Sequence, residues 1–158
     1  MKIKPLKPLD DKITVFGMSC SGKTTFAQQL KSHHYYCFDA MYPWHTIETF
    51  GMSISAALTR VAQQCVADKF VLDGWQTSDL TGQLLPSSVV YVIYTSYEEI
   101  IEQYRISLTF PMSCFHMFQR WYSYDNSNAR YFLNQNDFVE TTYDQYREFI
   151  SYELTRNR

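Results

Sequence analysis

The chain has 158 residues, a formal net charge of −2, and an aromatic share of 17% that includes 13 Tyr and 11 Phe. That length suits one domain with one core, and the near-neutral charge excludes a global basic field of the kind that binds nucleic acid wholesale. No run of about 18 apolar residues is present to span a membrane, and the four cysteines (Cys20, Cys37, Cys65 and Cys114) form no C-x-x-C pair or metal-ligand spacing, so a reduced, cytoplasmic chain is the expectation.

Residues 1–11, punctuated by Pro5 and Pro8, read as an extended lead-in without the apolar core of a secretory signal, and residues 12–158 as a single domain. Ile13, Val15 and Phe16 predict the first strand. Gly17-Met-Ser-Cys-Ser-Gly-Lys-Thr24 follows and matches the P-loop pattern G-x-x-x-x-G-K-[ST], after which Phe26, Ala27 and Leu30 keep helical spacing. Tyr35-Tyr-Cys-Phe-Asp39 predicts a second strand, succeeded by an irregular aromatic stretch, Met41–His45, that Pro43 interrupts. Ile54, Leu58, Val61 and Cys65 mark one face of a helix. Lys69-Phe-Val-Leu-Asp73 predicts a strand buried on both faces and stopped by Gly74, and residues 75–87 read mainly as loop.

Val89–Tyr94, β-branched and aromatic throughout, is the strongest strand signal. Ser96 with Glu99 reads as a capping box opening a helix through Tyr104. Pro111 begins another helix with Phe115, Phe118 and Tyr122 on one face. Tyr131-Phe-Leu133 predicts a short helix, Asp137–Thr141 a last strand, and Thr142 with Gln145 the cap of a final helix. Five strands alternating with helices predict an α/β fold of three layers, α/β/α, around a five-stranded parallel sheet. Ligands bind at the carboxyl ends of such strands, where the P-loop, Asp39 and Asp73 fall.

The chemistry of phosphate binding explains the loop's residue types. Backbone N–H groups along Gly17, Met18, Ser19, Cys20, Ser21, Gly22, Lys23, Thr24 and Thr25 must converge on phosphate oxygens, which a Cβ at the glycines would hinder. Lys23 places a charge on the β- and γ-phosphates, and the Thr24 hydroxyl ligates Mg²⁺. The strand–loop–helix context argues against a merely Gly/Ser-rich loop. Beside Lys23 and a helix N-terminus, a Cys20 thiolate is favoured, although the plainer reading is a small residue whose backbone alone matters. Asp39 suits acceptance of a substrate hydroxyl proton, or simply a helix or turn cap. Asp73, at the end of a buried strand, suits a Mg²⁺-holding carboxylate, or a turn residue before Gly74. Tyr42, Trp44 and His45 suit either stacking on an acceptor or packing.

Gly17–Thr24, Phe70-Val-Leu-Asp-Gly-Trp75 and Val89–Arg105 together resemble the P-loop kinases of the adenylate kinase and shikimate kinase group, over about residues 12–155. The resemblance implies the P-loop NTPase fold, ATP and Mg²⁺ as cofactors, and phosphoryl transfer. It places Arg105 where such enzymes stack an arginine on the donor adenine. Residues 107–134 fall where they carry a helical lid, with Arg120 and Arg130 as catalytic clamps on the γ-phosphate. Two departures shape the acceptor expectation. Gln76 and Thr77 stand where adenylate kinases have a Pro-Arg pair, and the only cations between Thr24 and Tyr104 are Lys31, Arg60 and Lys69. A phosphorylated acceptor calls for converging arginines, whereas Asp39 resembles the carboxylate near the acceptor hydroxyl in shikimate, uridine and polynucleotide kinases. The expected function is therefore an ATP-dependent kinase acting on a hydroxyl of a small, nucleoside-like acceptor, with no membrane partner. The alternatives are a nucleoside monophosphate kinase using Arg60 with Lys31 or Lys69, a polynucleotide hydroxyl kinase with a local basic groove, and a non-catalytic nucleotide switch. Nucleic acid is not the favoured partner, and the oligomeric state stays open.

Overall fold

The computed structural model describes residues 9–18, 20–41, 51, 53–73, 88–107, 114–123 and 127–157, with the backbone alone at 39, 54, 55, 58, 104–107 and 114. Ser19, the aromatic segment Tyr42–His45, Gly74–Thr77 and Pro111 lie outside the described residues. In chain order the elements are β1 (Lys12–Phe16), α1 (Lys23–Gln28), β2 (His34–Cys37), α2 (Phe38–Met41), α3 (Ile54–Gln64), β3 (Phe70–Asp73), β4 (Val89–Tyr94), α4 (Tyr97–Ser107), α5 (Cys114–Tyr122), β5 (Tyr131–Asn134), β6 (Val139–Thr141) and α6 (Tyr143–Arg156).

The apolar strands pair in the order β2-β3-β1-β4-β5-β6. The first five run parallel and β6 returns antiparallel to β5. Alternation along each strand divides the core between the two faces. Ile13 and Val15 of β1, with Val71, Tyr91, Ile93 and Leu133, meet Phe26, Ala27 and Leu30 of the α1 segment. Phe16, Val92, Tyr94 and Phe132 turn to the opposite face and meet Ile100, Phe118, Tyr122, Tyr146 and Ile150 from α4, α5 and α6. Phe70 and Leu72 share that second face with Ala57 and Val61 of α3. Helices cover both faces, so the three-layer expectation holds.

Four expectations are corrected. The sheet has six strands among the described residues, not five, and the sixth is antiparallel. Residues 131–134 form β5 rather than a helix, because Tyr131, Phe132 and Leu133 alternate between two apolar layers and are all buried. The predicted strand 137–141 shortens to Val139–Thr141, since Asp137 and Phe138 both take positive φ, 60° and 51°, to turn the hairpin. Finally, Asp39 does not end a strand. The strand stops at Cys37, and Phe38 opens α2 with its ring in the core against Ala57 and Val61.

One predicted capping box forms in full and the other by its Ser96 half. Thr142 and Gln145 form a full capping box on α6, and the Glu99 N–H donates to Ser96 Oγ at 3.2 Å. The start of α4 is held from α6 as well, where the buried Glu153 carboxylate accepts the Tyr97 N–H at 2.9 Å. No helix among the described residues is long and apolar enough to cross a membrane.

Candidate active site

Strand β1 sits between β3 and β4, so the chain leaving its carboxyl end enters the crevice where the strand order reverses, the usual ligand position in an open α/β sheet. The loop there is tightly built. Cys20 has φ 69° and Gly22 has φ 97°, left-handed positions that curl the backbone. The Ser21 N–H donates to Met18 O at 3.0 Å, and the Phe26 N–H donates to Gly22 O at 2.9 Å as α1 begins. No side chain caps α1. The first-turn amides of a helix have no acceptor within it, which is the property that phosphate binding at the start of α1 would use.

Neighbouring elements fix this loop from below. The Tyr122 hydroxyl, at the end of α5, accepts the Met18 N–H at 3.2 Å and donates to Ile93 O at 3.0 Å. Tyr122 is fully buried, and burial pushes its phenol up to about 12, so it stays a neutral donor at working pH. Trp121, next in the same turn, packs on Phe16 with ring centroids 5.1 Å apart. Its ring also faces the Lys23 ammonium, with Nζ 5.8 Å from the centroid. Lys23 is only 9% exposed, so its charge sits in a partly desolvated site where it acts strongly on an anion. Tyr122→Phe removes both hydrogen bonds and leaves a buried amide and carbonyl unpaired, an expected loss of about 2 kcal/mol. Thermal unfolding is expected to show a fall of roughly 4–8 °C in Tm.

Asp73 closes the other flank. Thr14 pairs with Leu72, which puts Asp73 level with the end of β1 and the start of the loop. Its carboxylate is 1% exposed; Oδ2 accepts the Tyr35 hydroxyl at 2.9 Å, and Oδ1 has no hydrogen-bond partner among the described residues. A buried, orphaned carboxylate oxygen beside the P-loop fits a divalent cation that shares its remaining positions with the exposed Thr24 hydroxyl, phosphates and water. Thr25 is exposed in the same first turn, while Met18 and Ser21 are buried beneath the loop.

A cleft of about 540 Å³ opens on the far side of the loop. Thr95, Ser96, Glu99 and Gln103 line one wall, Asn134–Asn136 of the β5–β6 hairpin the other, with Phe149 behind them. Gln135 joins cleft to loop, because a Cβ on Gly22 would lie 2.8 Å from its side chain.

The other sequence-predicted residues divide. Asp39 lies two residues past Cys37, which pairs with Asp73, so its backbone is at the carboxyl edge; its side chain and that of Arg105 on α4 are outside the described atoms. Arg120 is exposed in the last turn of α5, one residue before Trp121. Arg130 is a correction. Its N–H donates to Val90 O one residue ahead of β5, and its guanidinium pairs with Asp10 at 3.5 Å and lies over Tyr131. Asp10 precedes β1, so Arg130 serves the amino-terminal edge of the parallel sheet, opposite the P-loop. Of the expected lid segment, residues 114–123 and 127–134 are described, and within them Phe118 and Tyr122 are core residues and 131–134 is sheet. Burial raises the Cys20 thiol pKa and disfavours the thiolate, which agrees with the plainer reading of a small residue whose backbone matters. Among residues that sequence reasoning missed, Tyr122 and Tyr35 read as apolar-face aromatics, and only their hydroxyl partners in other elements reveal a role.

No protein-family model matches the chain, and no curated protein does. Among solved structures, a sugar kinase from Janibacter sp. HTCC2649 aligns with a TM-score of 0.55 at 16% identity, covering 93% of this chain and 95% of that one. A gluconokinase from Sinorhizobium meliloti 1021 aligns with a TM-score of 0.52 at 13% identity, covering 92% and 91%. Strand order, loop geometry and likeness over nearly the whole length agree: the chain has the fold of the P-loop kinases.

Proposed function

We propose that the chain is an ATP-dependent phosphotransferase that moves the γ-phosphoryl group to a hydroxyl of a small molecule. The observation that carries this reading is the placement, at one sheet edge, of a buried Lys23 in a loop with left-handed turns and of a buried Asp73 whose Oδ1 has no hydrogen-bond partner among the described residues. Loop amides and Lys23 hold the β- and γ-phosphates, and the donor nucleoside extends into the cleft between α4 and the β5–β6 hairpin. Bound Mg²⁺, held by Thr24 and Asp73, offsets the phosphate charge.

In the reaction the acceptor oxygen attacks the γ-phosphorus, the bond from that phosphorus to the β–γ bridging oxygen breaks, and ADP leaves with the electron pair. The acceptor's proton passes to the Asp39 carboxylate. Lys23 follows the charge that builds on the transferring group, and Arg120, in the turn that carries Trp121, reaches the same phosphate from the α5 side.

Of the cations the monophosphate-kinase alternative would use, Arg60 lies exposed on α3 and stays available to it, but the lysines do not. Lys31 lies in the turn after α1 and Lys69 directly precedes β3, which puts both at the amino-terminal edge, away from any acceptor near Asp39. Kinases of sugars and of gluconate share the fold, so sugars and sugar acids join nucleosides in the acceptor panel. Asp39→Asn tests the assignment. With the acceptor that wild type uses, kcat is expected to fall at least about 100-fold, while ATP affinity measured by calorimetry stays within twofold. An unchanged kcat removes Asp39 from the acceptor site.

A further inference from the structure

Tyr35 and Asp73 stand on adjacent parallel strands, with Cys37 opposite Asp73 and Tyr35 opposite Val71. Tyr35 and Cys37 are two residues apart and share a face, so the Tyr35 ring starts one pleat period, about 6.6 Å, below the level of the carboxylate. A phenol is long enough to span that rise, and its hydroxyl meets Asp73 Oδ2 at 2.9 Å. One carboxylate oxygen is thereby tethered by a neighbouring strand, and Oδ1 is left without a hydrogen-bond partner among the described residues.

We propose that Tyr35 is a positioning residue for the divalent cation of the nucleotide complex: its hydroxyl locks the Asp73 carboxylate in the rotamer that presents Oδ1 to the metal. Without that hydrogen bond the carboxylate is free to turn, and the site loses the preorganisation that outer partners give to metal ligands. This inference rests on the P-loop nucleotide reading above.

The test is Mn²⁺ binding followed by electron paramagnetic resonance, with and without a non-hydrolysable ATP analogue, for wild type, Tyr35→Phe and Asp73→Asn. Wild type is expected to bind Mn²⁺ in a nucleotide-dependent way, and Asp73→Asn to lose most of that binding. Tyr35→Phe keeps the ring and its packing, and its nucleotide-dependent Mn²⁺ affinity is expected to fall about tenfold, while analogue affinity in EDTA stays within twofold. A Tyr35→Phe variant with a lowered Tm but unchanged Mn²⁺ affinity overturns the proposal and makes the hydrogen bond structural only. Absence of nucleotide-dependent Mn²⁺ binding in wild type overturns the P-loop reading as well, which separates the two failures.

A second measurement needs no variant. In tyrosine-labelled wild type, Mn²⁺ with the analogue is expected to broaden the Tyr35 ring signals by paramagnetic relaxation far more than those of Tyr152, which is exposed on α6. Equal broadening of both overturns the proposal.

Discussion

Lys23→Ala is expected to lower kcat/KM for phosphoryl transfer by about a thousandfold or more, with the loss chiefly in kcat. The argument is electrostatic. The Lys23 side chain is 9% exposed and its ammonium sits 5.8 Å from the Trp121 ring centroid, so its charge acts in a medium far less polarisable than water. The charge it answers develops on the transferring phosphoryl group, so binding of the ground-state nucleotide suffers less than the transition state. Stability is expected to fall by less than activity, because the cation–π contact of a desolvated ammonium contributes about 2 kcal/mol. Steady-state kinetics beside a thermal melt separates these effects. A lowered melt together with unchanged turnover would mean that Lys23 is packing rather than chemistry.

Gly17→Ala is expected to act the other way, on the fold before the chemistry. A Cβ at Gly17 would lie 2.6 Å from Ile93 O and 2.7 Å from Ser21 Oγ. Ile93 O cannot retreat cheaply, because β4 is paired on both sides and the same carbonyl accepts the Tyr122 hydroxyl. Overpacking against fixed backbone destabilises by about 3 kcal/mol, which translates to a Tm lower by roughly 6–12 °C for a chain of this size. Gly51→Ala is the useful contrast. Its φ is 61° but no described residue lies within 4 Å of the added Cβ, so the left-handed strain of about 1–2 kcal/mol is the expected cost. If the two variants melt together, close approach is not what the first glycine of the loop provides.

These expectations show where the sequence speaks and where it falls silent. The P-loop was legible because phosphate binding constrains residue types at fixed offsets, and the structure adds that its first glycine answers to β4. Buried central strands β1, β3 and β4 were legible because both faces are covered, which produces continuous apolar runs. Strand β5 was not. It is four residues long, and the turn after it, Gln135–Phe138, contains neither Gly nor Pro to punctuate it. Its two positive-φ residues are Asp137 and Phe138, and the Phe138 ring is held in place by Phe26 at 5.3 Å, a contact no local pattern encodes.

Arg130 shows a second limit. Its place in the sequence matched a lid arginine, but standing one residue ahead of β5 decides its fate, since in a parallel sheet that position faces the amino-terminal edge and Asp10. Tyr35 and Tyr122 show a third. The pattern places Tyr35 in a strand and Tyr122 on an apolar helix face; what the hydroxyls do depends on Asp73, Met18 and Ile93, between 29 and 104 residues away in sequence.

The central claim is best tested by a transfer screen with γ-labelled ATP and Mg²⁺ over nucleosides, sugars, sugar acids, nucleoside monophosphates and 5′-hydroxyl oligonucleotides, with Lys23→Ala as the blank. The account predicts label on an unphosphorylated small-molecule hydroxyl with wild type, and none above background with the blank. Label confined to monophosphates, or equal label with wild type and Lys23→Ala, would contradict it.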